Sequence, residues 1–67
     1  MTSFSKKALE ILQAESKEGK EKFTTSSLIA KGFSEEAAKV AVKELEDAGY
    51  IFIESSYISG GLGFRLL

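Results

Sequence analysis

Residues 45–51, LEDAGYI, end a helix and begin a strand with nothing between them. Upstream, at 100° per residue, Ala38, Ala41, Val42, Leu45 and Ala48 share one helical face, while Glu36, Lys39, Lys43, Glu46 and Asp47 take the other. Ser34 is placed to cap this helix, with Glu35 and Glu36 in the first turn, where the helix dipole favours acids. Gly49 supplies the left-handed residue that stops it. Tyr50 and Ile51 then open a run of strand formers, YIFIESSYIS. The chain must therefore place a sheet directly against the end of an amphipathic helix.

The rest of the chain supplies what that pair can pack on. Residues 4–18 follow helical spacing through Phe4, Ala8, Ile11 and Leu12, with Leu9 at the edge of the stripe. Ser3 is the expected cap and Gly19 the expected stop. KEKFTT, residues 20–25, reads as a brief strand or an extended lead-in centred on Phe23. Thr25 or Ser26 then caps a short second helix carrying Leu28, Ile29 and Ala30, which Gly32 breaks. At the far end, Gly60-Gly61 suits a two-residue type I′ turn. That turn sets Ser59 opposite Leu62, Tyr57 opposite Phe64 and Ser55 opposite Leu66. Ile51, Ile53, Tyr57, Leu62, Phe64 and Leu66 then form a core face, and Tyr50, Phe52, Ile58 and Leu67 point away from it.

Composition narrows the chemistry. With 67 residues the expectation is one domain over 1–67. There is no Cys and no His, which removes disulfides, the usual zinc ligands and the Ser-His-Asp and Cys-His nucleophilic sites. The adjacent pairs Glu35–Glu36 and Glu46–Asp47 diverge on a helix rather than converge on a substrate. SGGLG, residues 59–63, lies in a hairpin rather than ahead of a helix, so it is no phosphate loop. The expectation is a non-enzyme with no cofactor, no metal and no small-molecule substrate. No stretch approaches the ~20 apolar residues of a membrane span, and charges interleave the apolar residues at the N-terminus, unlike a signal peptide. A soluble, cytoplasmic protein without a membrane partner is expected. Net charge is −1, unevenly spread: residues 1–33 hold six Lys and four Glu, whereas residues 34–67 hold two Lys and one Arg against five Glu and one Asp.

The stretch FTTSSLIAKGFSEEAAKVAVKELEDAGYI, residues 23–51, resembles the winged helix-turn-helix family: a polar cap, a short helix, a turn with Gly, a longer helix ending Leu-x-x-x-Gly, then an aliphatic strand. SSYISGGLGF, residues 55–64, would be the wing, and with the first helix the resemblance covers nearly the whole chain. It implies a small α+β fold, three helices plus a C-terminal β-hairpin.

In DNA-binding members of that family the third helix enters the major groove and the wing lies alongside. Carried over, the groove positions are Ser34, Glu36, Lys39, Val40 and Lys43, and the wing positions are Ser56, Ser59, Gly60 and Gly61. Thr25 and Ser26, with Thr24 and Ser27, would hold a phosphate at the second helix, and Lys20, Lys22 and Lys31 would assist. The resemblance thus implies a transcriptional regulator on double-stranded DNA, working as a dimer because one weakly charged module offers few phosphate contacts. Against it stand Glu36, Glu46 and Asp47 on the presumed reading face, where phosphates would be repelled. Lys39 after Glu35 and Lys43 before Asp47 also read as i,i+4 pairs on a solvated face. Val40 fits a thymine methyl or a protein contact, but the leading expectation is that it packs on a neighbouring side chain. The second reading is an adaptor or inhibitor that binds a protein through Tyr50, Phe52 and Ile58, as in small phage and plasmid products that modulate host machinery.

Overall fold

The computed structural model describes residues 2–57 and 61–67. The chain runs through α1 (Ser3–Lys17), β1 (Phe23–Thr24), α2 (Thr25–Ile29), α3 (Glu35–Asp47), β2 (Ile51–Ser56) and β3 (Leu62–Leu66). Three helices followed by a hairpin make an α+β fold with the winged helix-turn-helix arrangement of elements.

All three helices stop in the same way. Gly19, Gly32 and Gly49 each have positive φ. At α3, Gly49 N–H donates to the Glu46 carbonyl at 3.0 Å and Tyr50 N–H to the Leu45 carbonyl at 2.9 Å. These two bonds satisfy carbonyls that a helix end leaves without partners. The same pair of bonds recurs at Gly19–Lys20 and at Gly32–Phe33.

Two of the three helix starts differ from expectation. Thr2, not Ser3, caps α1, accepting from Ser5 N–H at 3.4 Å. Thr24, not Thr25 or Ser26, is the residue before α2, and its N–H donates to Ser27 Oγ at 3.4 Å. Ser34 caps α3 as expected, its hydroxyl accepting from Ala37 N–H at 3.1 Å.

The core gathers Ala8 and Leu12 of α1, Phe23, Leu28, Phe33, then Ala38, Ala41, Val42 and Leu45 of α3, and Ile51 and Phe64 of the hairpin. Phe4 is not part of it: it is 56% exposed, because the inward position in the first turn of α1 goes to the buried Ser5. Ala48 is likewise exposed, being the residue at which α3 already turns toward Gly49.

The sheet has the order β1-β3-β2, all antiparallel. KEKFTT is thus a strand as well as a lead-in, pairing Phe23 with Phe64 and Thr24 with Gly63. The hairpin register differs from the Gly-Gly expectation. Ile51 faces Leu66, Ile53 faces Phe64, and after a bulge at Glu54, Ser55 faces Gly63 and Ser56 faces Leu62. Tyr57 N–H donates to the Gly61 carbonyl at 2.8 Å, which carries the Ser56–Leu62 register one residue further. The third strand explains the shift. Phe64 lies between Phe23, ring stacked at 6.0 Å, and Ile53, a row that a two-strand argument cannot anticipate. Tyr57, expected inward, is exposed. The type I′ geometry expected at Gly60-Gly61 lies partly outside the described residues.

Candidate interaction surfaces

The outward side of α3 is the surface on which the helix-turn-helix resemblance depends. Ser34, Glu36, Val40 and Lys43 are exposed there and Lys39 is half-buried. Val40 stands 50% exposed. Both lysines are engaged. Lys39 Nζ lies 3.3 Å from Glu35 Oε1, and Lys43 Nζ lies 3.4 Å from Glu46 Oε1 rather than beside Asp47. Lys20 and Lys31 converge on Glu15 from outside α3, at 3.7 and 4.0 Å. Four of the five lysines that a duplex would need therefore already face a carboxylate of this chain.

Other residues named from sequence are dispersed. Thr25 is buried, and its hydroxyl accepts from Leu62 N–H at 3.3 Å, tying α2 to β3. Ser26 is exposed in the first turn of α2. Gly61 is half-buried, with its carbonyl taken by Tyr57. Gly60, Ser59 and Ile58 lie outside the described residues.

The outward face of the hairpin is more coherent. Phe52 pairs with Arg65, and one step along the same register Leu67 N–H donates to the Tyr50 carbonyl at 3.0 Å. Side chains alternate across a strand, so Tyr50, Phe52, Arg65 and Leu67 share the face opposite Ile51, Ile53, Phe64 and Leu66. Tyr50, Phe52 and Leu67 are 44, 50 and 75% exposed. Arg65 lies over the Phe52 ring at 5.6 Å and 3.8 Å from Glu54. Farther along, Gly63 belongs to this face yet is buried, because Ser55 and Tyr57 lean across it. A side chain there would begin 2.5 Å from Ser55 Oγ and 3.1 Å from Tyr57 Oη.

Glu44 is the residue that sequence reading missed. It projects from α3 to the start of α1, where one carboxylate oxygen accepts from the Ser5 hydroxyl, from Thr2 Oγ1 at 2.8 Å and from Thr2 N–H at 3.2 Å. The hydrogen bonds from Ser5 and Thr2 hold its pKa below the ordinary carboxylate value. A signal existed: Glu44 flanks the buried Ala41–Leu45 stripe, where an acid needs a partner.

Compared with models of known protein families, with curated proteins and with solved structures, the chain matches none. Its fold class rests on the element order and pairing described above. No helix among the described residues is long and apolar enough to cross a membrane.

Proposed function

We propose that this chain is a non-catalytic interaction module of winged-helix architecture that binds a protein partner through the outward face of its hairpin. The observation that supports this is the row Leu67–Tyr50 and Arg65–Phe52, large apolar groups held side by side on a sheet and left uncovered. Aromatic and Arg side chains of this kind dominate the energetics of protein interfaces. The charge arrangement on α3 points the same way. Glu35, Glu36, Glu46 and Asp47 outnumber Lys39 and Lys43 on the face a duplex would meet.

Duplex DNA is the second reading. What favours it is the placement of Ser26, Ser34, Lys39, Val40 and Lys43 on α2 and α3 in a helix-turn-helix order, with the wing beyond. A salt-titrated binding assay on random duplex DNA separates the two. The protein reading expects no duplex affinity that climbs steeply as salt falls. It also expects a photo-crosslinker at Phe52 to join one protein, with the adduct lost when Tyr50→Ser is added. Salt-steep duplex binding that weakens in Lys39→Ala/Lys43→Ala would establish the DNA reading instead.

A further inference from the structure

A cavity of about 190 Å³ opens where the start of α1 meets the turn between α2 and α3. Its apolar wall is Phe4, Phe33 and Ala37, the two rings meeting edge to face at 6.4 Å. Phe33 is all but buried, whereas Phe4 forms an exposed rim. Among the described residues the charged groups of the wall are both lysines, Lys7 and Lys31, with no carboxylate. Lys7 takes part in no ion pair among the described residues. Lys31 shares Glu15, which lies outside the wall, with Lys20 and stands the farther of the two at 4.0 Å, so Lys7 is the principal cation of the wall and Lys31 the lesser.

Size sets what can enter. An apolar cavity of about 150 Å³ holds one benzene-sized group, so this one suits a single ring or large aliphatic side chain. Charge sets what should flank that group. Two cations beside an aromatic floor favour carboxylates, and an apolar anchor displaces water from Phe4 and Phe33.

We propose that this cavity receives one large apolar side chain of an acidic peptide segment, whose flanking carboxylates face Lys7 and Lys31. The site shares no residue with the Tyr50–Phe52 face and stands whether or not that face has a partner.

Three fluorescent pentapeptides separate the contributions: Asp-Glu-Phe-Glu-Asp, Asp-Glu-Ala-Glu-Asp without the anchor, and Asn-Gln-Phe-Gln-Asn without the charges. Each is titrated against the whole chain by anisotropy, with backbone amide shifts locating the site. The first peptide should bind about fivefold or more tighter than either other, fivefold being the upper end for an exposed ion pair. Lys7→Gln/Lys31→Gln should make the acidic and neutral Phe peptides equal. Phe4→Ala should weaken both, and Phe52→Ser should change none. All four are exposed positions, and unchanged amide shifts far from each substitution verify the fold. Equal binding of the three peptides overturns the proposal. So do amide shifts outside the cavity, loss of binding with Phe52→Ser, or tighter binding of a single-stranded oligothymidylate at the same residues.

Discussion

The two faces of the hairpin are built from the same kinds of side chain and are held in opposite ways. Inward, Phe64 stacks on Phe23, faces Ile53 and is 1% exposed. Outward, on the neighbouring strand, Phe52 faces a guanidinium and keeps half its surface in water. Burying such a side chain contributes ~1.5–3 kcal/mol, so the inward row carries the fold and the outward row leaves part of that free energy unrealised.

The most direct way to break this contrast is to truncate both rings. Phe64→Ala should cost about 3–5 kcal/mol in chemical denaturation, enough to unfold much of a domain this small. Phe52→Ala should stay within about 0.5 kcal/mol of the parent. Equal costs would show that the outward ring is structural and would remove it as a docking residue.

Gly63→Val asks how far the outward face tolerates filling. The new side chain meets Ser55 and Tyr57, and overpacking of this kind should cost about 1–3 kcal/mol. A neutral result would mean that Tyr57 swings clear and that the trough over Gly63 is open.

The smallest effect concerns the carboxylates of α3, which differ in what they meet. Glu44 grips another helix, whereas Glu35 and Glu46 meet lysines of their own helix. Because hydrogen bonds from Ser5 and Thr2 lower its folded pKa, Glu44 contributes stability that is fully present above the unfolded value, near 4.5. That contribution is lost as pH falls through the lower folded value. Glu44→Gln should therefore flatten the acid limb of thermal stability below that value. An acid limb parallel to the parent's would deny Glu44 its special role.

Most of the helical part was legible before any coordinates. Ser34 as a cap, Gly19, Gly32 and Gly49 as stops, and the Ala38–Leu45 stripe are local signals that tertiary structure only had to accept. What was not legible is what depends on distant partners. The hairpin register follows from Phe23 joining Phe64 from the far side, and a two-residue turn argument has no access to that strand. Phe4 looked like core because Ser5, the buried residue beside it, needs Glu44 some forty positions away to justify its burial. The outward placement of Tyr50 and Phe52 was readable from alternation alone. The Phe4–Phe33 cavity was not, since it is assembled from three separate elements.

Tyr50 has one further consequence. Its N–H is fastened to the last turn of α3 and its carbonyl to Leu67 beside β3. Helix and sheet therefore meet at a welded joint rather than a hinge. The two anchoring bonds belong to the peptide groups on either side of one Cα, so the end of α3 and the outer ends of the hairpin are held together through the backbone of one residue.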